Sequence, residues 1–233
     1  MQISVPLIEI ISWRLTAEVI RRAPDQLRVI ETHPSGGQYD CLSFLSLNGR
    51  HIADLNRRGR FHVCEPLHGT AQFQPWDLWT DAITEDDPLR VVDGLCQRIG
   101  LAVPAKLPPS TPMVLAYRFI ADFLTHSVLG RTRWECRNGF EDTSGWGGGP
   151  RLGWFELFSG AAERVKQRLD DDVLSQPAYR FWFLCQNEEP ILCLETTGLV
   201  WNRTGGPIDL VKEYSGDRRI WPSVMKAALD RLP

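Results

Sequence analysis

Two short segments near the C-terminal end, YRFWFLCQ (179–186) and PILCLETT (190–197), constrain the fold most strongly. Each has the length and the aromatic and β-branched content typical of a β-strand, and Asn187-Glu188-Glu189 between them is typical of a hairpin turn. A strand with one face in water alternates apolar and polar residues, whereas these two are apolar on both faces. We therefore expect them to pair as a central hairpin covered by helices.

Apolar periodicity predicts the remaining elements. Apolar residues at helical spacing predict helices, and alternating apolar and polar residues predict strands. The helices are expected at 6–23, 87–99, 112–129, 161–174 and 221–232, and the further strands at 27–33, 39–47, 50–55, 60–64 and 133–137. Residues 76–83 fit either a short helix or an extended segment. These elements predict an α+β fold with helices packed on antiparallel sheets, in helix–meander–helix order in each half.

A proline-rich stretch separates the two halves. Residues 102–112 include four prolines, and proline fixes φ and removes a hydrogen-bond donor, so regular structure should stop there. We therefore expect an N-terminal α+β domain at 1–103, a linker at 104–112 and a C-terminal α+β domain at 113–233.

Charge and composition argue against several classes of protein. The 233 residues carry a formal net charge of −3, with 24% charged and 43% hydrophobic residues. These values fit a globular chain and give no positive field for nucleic acid. No apolar run approaches the roughly 20 residues that span a bilayer. The first basic residue is Arg14 and Glu9 interrupts the apolar stretch before it, so we expect no export signal, no membrane partner and a cytoplasmic protein.

The cysteines and basic residues support that view. None of the six cysteines belongs to a C-x-x-C pair, which favours reduced core thiols over disulfides. Only four of the 26 basic residues are lysines. Such a bias is typical of a GC-rich genome, as in actinobacteria.

A glycine-rich segment at 138–153 is the most unusual part of the sequence. Its core, EDTSGWGGGP (141–150), lacks the lysine of a P-loop, and Pro150 breaks the dinucleotide-binding pattern. No G-x-S-x-G elbow is present, because Asp142 stands where its first glycine would be. The segment is therefore either a flexible surface loop or a ligand-contacting lid with Trp146 at its tip.

Nucleophile and metal patterns are incomplete. A Glu, a His, an Asp and a Cys lie within 31–41, but Cys41 lacks the local signature of a nucleophile, which favours a structural turn over a catalytic dyad. None of the five histidines shows H-x-x-x-H or H-E-x-x-H spacing. His62 and Cys64 share a strand face, but two ligands do not make a metal site. The sequence therefore predicts no catalytic residue, metal or other cofactor.

Tryptophan is abundant and supplies the candidate binding residues. Four of the nine tryptophans lie in segments without core periodicity: Trp76, Trp79, Trp146 and Trp154. They either pack at the periphery of the core or line a groove for a peptide, since tryptophan is a frequent interface anchor and a free strand edge can accept an extended peptide. We take these four, together with Tyr39, as candidate peptide- or partner-binding residues.

Four segments resemble a known family. They are LRVIETHPSGGQYDCLSFL (27–45), RHIADLNRRGRFHV (50–63), RTRWECRNGFEDTSGWGGG (131–149) and YRFWFLCQNEEPILCLETTGLVWN (179–202). Together with the opening helix, they resemble the TY-Chap2 type of peptide-binding chaperone-like proteins, which are related to type III secretion chaperones and the YbjN family and are known mostly from actinobacteria. The resemblance covers most of the chain and transfers no catalytic residue. It implies an α+β fold, an N-terminal domain of the secretion-chaperone or YbjN kind, and binding of an extended peptide or protein, with a homodimer as one expected assembly.

Three hypotheses about function follow. The first is a cytoplasmic peptide- or protein-binding chaperone or adaptor, in a family with some members placed in bacterial conflict or secretion systems. The second is an enzyme with its site around 138–153, built from Glu135, Glu141, Asp142 and Ser144. The third is an immunity-type inhibitor of one toxin. A deep pocket with paired carboxylates would favour the enzyme, and a shallow apolar surface would favour binding.

Overall fold

A computed structural model describes the greater part of the chain. The described residues are 5–23, 26–32, 41–46, 49–56, 60–64, 76–77, 88–102, 104, 106–129, 134–139, 151–169, 181–203 and 206–213.

The described chain forms helices and strands in an α+β arrangement, as predicted. The helices are α1 (Val5–Arg22), α2 (Pro88–Arg98), α3 (Pro112–Leu129), α4 (Leu152–Phe155), α5 (Ser159–Leu169) and α6 (Leu210–Glu213). The strands are β1 (Leu27–Thr32), β2 (Cys41–Ser46), β3 (His51–Asn56), β4 (Arg60–Val63), β5 (Trp76–Asp77), β6 (Trp134–Asn138), β7 (Phe181–Gln186), β8 (Glu189–Glu195), β9 (Leu199–Asn202) and β10 (Ile208–Asp209).

The strands form two antiparallel sheets of five strands each. The first sheet follows chain order, β1-β2-β3-β4-β5. The second has the order β10-β9-β8-β7-β6, so that β7 and β8 are central. Strand β1 contacts β6, which brings the two sheets together at those strands.

The hairpin β7–β8 occupies the position that its sequence predicts. Its turn is formed by Asn187 and Glu188, whose φ values of 50° and 67° are those of a two-residue hairpin turn. On one face, Trp182 and Leu184 belong to a large core that also contains residues of α1 and α3. On the other face, Phe183 belongs to a second apolar cluster with residues of α4 and α5. Helices therefore cover both faces of this hairpin.

An aromatic contact links the first helix to the second sheet. The ring of Trp13 on α1 meets that of Trp182 edge-on, with 4.8 Å between centroids, and Tyr117 on α3 lies 5.7 Å from Trp13. The large core includes buried residues from both sides of the proline-rich stretch. The division into domains at 104–112 remains a prediction, and any such domains share this core.

Ion pairs fasten α1 to its neighbours. Arg22 is buried and pairs with Asp93 of α2 at 2.8 Å, and Glu18 pairs with Arg118 of α3. The guanidinium of Arg21 donates to the carbonyl of Pro108 at 2.9 Å, so α1 also holds part of the stretch predicted as a linker.

Several elements differ from those predicted. The strand expected at 190–197 ends at Glu195, because Gly198, with φ of 89°, makes a tight turn in which its N–H donates to the carbonyl of Glu195. Threonine favours strands, so Thr196 and Thr197 led to the prediction that the strand continues through this turn. The turn starts β9, which was not predicted. The helix expected at 161–174 begins two residues earlier, at Ser159, and is described as far as Leu169.

Three further differences concern short elements. Part of the loop expected at 138–153 is helical, as α4. Of residues 76–83, the described part is the two-residue strand β5. Strand β10 and helix α6 were not predicted, since elements of two and four residues carry too little periodicity to detect. The helix expected at 221–232 lies outside the described residues.

Two glycines near the second apolar cluster provide a matched test of packing. A Cβ at Gly160, in the first turn of α5, would lie 2.2 Å from Cζ3 of Trp201, whereas a Cβ at Gly153 in α4 would meet nothing within 4 Å. We expect Gly160→Ala to lower the free energy of unfolding by about 1–3 kcal/mol because the indole must move. Gly153→Ala should change it little or raise it by up to about 1 kcal/mol. Urea unfolding of both variants measures this, and equal effects would contradict the described packing.

A buried ion pair between α5 and β8 gives a second test. The carboxylate of Glu195 is fully buried, and Oε1 accepts from Nη2 of Arg164 at 2.8 Å. Arg164→Met would leave a buried charge without this partner and should cost about 3 kcal/mol of stability. The control is Arg14→Met, since Arg14 is 52% exposed in its pair with Asp122 and should cost less than about 1 kcal/mol. Thermal unfolding measures the loss of stability in each variant. Similar losses in the two variants would contradict a stabilising role for the pair between Arg164 and Glu195.

Candidate functional site

The structure places two of the five candidate binding residues. Trp76 begins β5, where it pairs with Phe61 at the edge of the first sheet. Trp154 lies in α4, against the second sheet. Trp76 therefore belongs to the first sheet, whereas Trp154 packs against the second. Tyr39, Trp79 and Trp146 lie outside the described residues.

Trp154 is held on two sides. Its ring meets that of Phe183 edge-on at 5.2 Å, and the guanidinium carbon of Arg151 lies 4.9 Å from the ring centroid. The side chain is half-buried. Trp154 is thus a fixed aromatic surface with a cation beside it, which agrees with the peripheral-packing interpretation and leaves part of the ring open to solvent.

Exposed leucines flank this tryptophan. Leu152 is 50% exposed and Leu157 is 41% exposed, and the structure describes only one other large apolar side chain that is so open, Val211 at 47%. Phe155 and Phe158, in the same segment, are buried against the second sheet. Buried phenylalanines therefore anchor a short segment whose other apolar residues face solvent. We call residues 151–157 the α4 surface.

Backbone hydrogen bonds fix the start of the α4 surface. The N–H of Arg151 donates to the carbonyl of Gly139 at 2.9 Å, and the N–H of Gly139 donates to the carbonyl of Phe181 at 2.8 Å. A Cβ at Gly139 would lie 2.8 Å from Cβ of Phe181, so the close approach requires glycine. The two ends of the glycine-rich segment, 139 and 151, therefore meet beside the α4 surface.

The residues of the enzyme hypothesis remain largely untested. Glu141, Asp142 and Ser144 lie outside the described residues, as does the rest of 140–150. Glu135 is in β6, opposite Cys185 of β7. The enzyme hypothesis therefore gains no observation in its favour.

A second group of polar residues lies on the hairpin β3–β4, in the first sheet. It consists of His51, Asp54 and Cys64, whose donor atoms all lie within 4.8 Å of one another. Nε2 of His51 is 2.7 Å from Oδ1 of Asp54 and 3.9 Å from Sγ of Cys64. The thiol of Cys64 also lies 3.8 Å from Oδ2 of Asp54. We call these three residues the β3–β4 cluster.

A β-bulge brings the β3–β4 cluster together. Leu45 of β2 pairs with His51 and Phe44 pairs with Ala53, so Ile52 is an extra residue in β3. Residues three apart in a regular strand point to opposite faces, but a bulge re-aims one side chain and allows His51 and Asp54 to share a face. Cys64 follows β4 directly, and its N–H donates to the carbonyl of Ile52 at 2.8 Å.

The β3–β4 cluster raises the pKa of its histidine, His51. The hydrogen bond with Asp54, followed by that with Cys64, raises the pKa of His51 to about 10, although partial burial acts in the opposite direction. The same nitrogen, Nε2, approaches both partners. A Cys–His–Asp triad uses the two ring nitrogens separately, so this geometry does not favour cysteine nucleophilic catalysis.

The sequence analysis missed the β3–β4 cluster. It identified His62 and Cys64 on one strand face, and the thiol of Cys64 does lie 3.5 Å from Nδ1 of His62. The residues that complete the cluster are on the neighbouring strand, and their spacing follows no motif. The sequence does predict that strands 50–55 and 60–64 pair. It does not show the position of the bulge that brings His51 and Asp54 to the same face.

Cysteine accessibility gives a direct test of this part of the structure. Burial raises the pKa of Cys96 to about 12 and that of Cys193 well above its ordinary value, whereas Cys64 is half-buried. Among the five cysteines whose burial the structure describes, we expect Cys64 to react first with iodoacetamide in the folded protein at mildly alkaline pH. Peptide mapping of the alkylated protein measures the order, and faster labelling of Cys96 or Cys193 than of Cys64 would contradict it.

The described chain thus combines an α+β fold with an apolar surface that is open to solvent at α4. Residues 10–233 match the family described as type III secretion system (YopN, CesT) and YbjN peptide-binding chaperone 2, or TY-Chap2. The chain therefore belongs to the TY-Chap2 family, and the family implies a peptide-binding chaperone-type role. No curated protein and no solved structure is significantly similar to it. None of the helices in the described ranges combines the length and apolar character needed to cross a bilayer.

Proposed function

We propose that this protein is a cytoplasmic chaperone or adaptor that holds an extended apolar segment of a protein partner on the α4 surface. The observation that carries the proposal is the exposure of Leu152 and Leu157, which precede and follow Trp154 in the same short segment, while Trp154 packs edge-on against Phe183. Exposed apolar side chains close to an aromatic anchor are typical of interaction sites. Family membership supports a peptide as the occupant.

The outer edge of the second sheet favours side-chain contacts over strand addition. Strand β10 at that edge has two residues, because helix α6 begins directly after it, and the terminal strands β1 and β6 contact each other. A short edge strand offers few backbone groups to an incoming strand. The α4 surface offers an apolar contact instead, and it lies beside the ends of the segment that contains Trp146.

We further propose that the chaperone serves one dedicated protein partner. The two proteins act in a bacterial conflict or secretion system, as the resemblance of 27–45 and 131–149 implies. Homodimerisation is part of the same proposal. The immunity-type inhibitor differs in the identity of its partner and would use the same kind of surface.

A peptide array tests the proposal directly. The folded protein is screened against extended peptides of graded apolar content, and the dissociation constant of the best peptide is measured by fluorescence anisotropy. The double variant Leu152→Ser, Leu157→Ser should weaken binding by about 2 kcal/mol, or about thirtyfold. Because both side chains are exposed, its thermal unfolding should be almost unchanged.

Val211→Ser is the matched control. Val211 has a comparable exposed fraction but lies in a different helix, α6, which contacts α3. The Val211→Ser variant should bind the same peptide as tightly as the unaltered protein. Equal weakening in the control and the double variant, or no saturable binding of any peptide, would overturn the proposal.

A further inference from the structure

We propose that the β3–β4 cluster is a binding site for a zinc-like divalent cation, with His51, Asp54 and Cys64 as its ligands. This inference is independent of the α4 surface, since the cluster belongs to the other sheet.

The donor set selects the class of metal. An imidazole nitrogen, a thiolate sulfur and a carboxylate oxygen are each ligands of Zn²⁺, which is borderline soft and accepts mixed sets. Magnesium and calcium prefer oxygen ligands throughout, so a thiolate among three donors argues against them. Such a set matches a tetrahedral site with three protein ligands and one further position.

The separations need small adjustments to match a tetrahedral ion. Zn–N and Zn–O bonds near 2.0–2.1 Å and a Zn–S bond near 2.3 Å place two ligand atoms about 3.3–3.6 Å apart. The sulfur of Cys64 lies 3.9 Å from Nε2 of His51 and 3.8 Å from Oδ2 of Asp54, whereas the other carboxylate oxygen, Oδ1, lies 2.7 Å from that nitrogen. A bound cation would replace the proton of this hydrogen bond. The carboxylate would turn so that one oxygen faces both other ligands, and Nε2 and Oδ1 would move roughly 0.6 Å apart.

The surrounding backbone holds the site in place. His51 and Asp54 flank the bulge at Ile52 in β3, and the N–H of Cys64 donates a hydrogen bond to the carbonyl of Ile52. Ile52 is fully buried. The ligands are therefore attached to a rigid hairpin whose opposite side is core, which reduces the ordering that binding would otherwise require.

His62 lies beside the open position. Its Nδ1 is 3.5 Å from Sγ of Cys64, it pairs with Asp54 across the hairpin, and its side chain is exposed. Because an exposed ring can rotate, His62 is within reach of a metal held by the other three.

Cobalt(II) titration tests the site. The full-length protein is freed of metal with a chelator, kept reduced and titrated with Co²⁺, which gives a sulfur-to-metal charge-transfer band and intense visible bands when it is tetrahedral and thiolate-bound. We expect saturation at one ion per chain, loss of the spectrum when Zn²⁺ is added, and a rise in the melting temperature with Zn²⁺. Absence of a saturable spectrum would overturn the proposal.

Single variants assign the ligands. Cys64→Ser should abolish the charge-transfer band, and His51→Gln and Asp54→Asn should each weaken Zn²⁺ binding at least tenfold, as measured by competition with a chromophoric chelator. Asp122→Asn removes a carboxylate from α3, far from the hairpin in sequence, and should leave the affinity unchanged. A band that persists in Cys64→Ser, or equal weakening in Asp122→Asn, would place the metal elsewhere and overturn the assignment.

Alkylation gives a readout that does not depend on folding of the variants. In the unaltered protein, Zn²⁺ should slow the reaction of Cys64 with iodoacetamide at least tenfold, because a metal-bound thiolate is a poorer nucleophile. Labelling of Cys64 that Zn²⁺ does not change would overturn the proposal.

Discussion

Burial of both faces of the hairpin β7–β8 is the constraint on which the rest of the fold depends. Trp182 on one face and Phe183 on the other are fully enclosed, so neither face can be left in water without exposing large aromatic area. Helices from both sides of the proline-rich stretch contribute to this covering. The first face takes α1 and α3, and the second takes α4 and α5.

The packing of helices on the second face of this hairpin also positions the α4 surface. Helix α4 has only four residues and could not persist alone in water. It persists because Phe155 packs against Phe181 and Phe183. The exposed leucines on either side of Trp154 thus depend on the same aromatic cluster that closes the second sheet, and the proposed binding function is coupled to the stability of the hairpin.

Sequence reasoning predicted the elements whose pattern is long and regular. The apolar runs around Asn187 gave the central hairpin, and helical spacing over 112–129 gave α3 with the same bounds. It failed where one residue changes the geometry. The turn at Gly198 ends β8 at Glu195, two residues before the end of the expected strand, and the extra residue Ile52 moves His51 to the face of Asp54. The bulge has no signal in the local residue pattern, so the β3–β4 cluster could be recognised only from the paired strands. Of the candidate binding residues, Trp154 is the one with described side-chain contacts, to Phe183 and Arg151, and its role in binding stays a prediction.

The hydrogen bond at the base of segment 140–150 separates two kinds of change in this part of the chain. Because the N–H of Arg151 donates to the carbonyl of Gly139, the two residues that bound this segment lie at adjacent points. Doubling the length of a flexible segment closed in this way costs only about 0.6 kcal/mol of closure entropy. A change in the number of residues between Gly139 and Arg151 therefore carries a small entropic penalty. A side chain at Gly139 carries a larger one, because its Cβ would lie 2.8 Å from Cβ of Phe181.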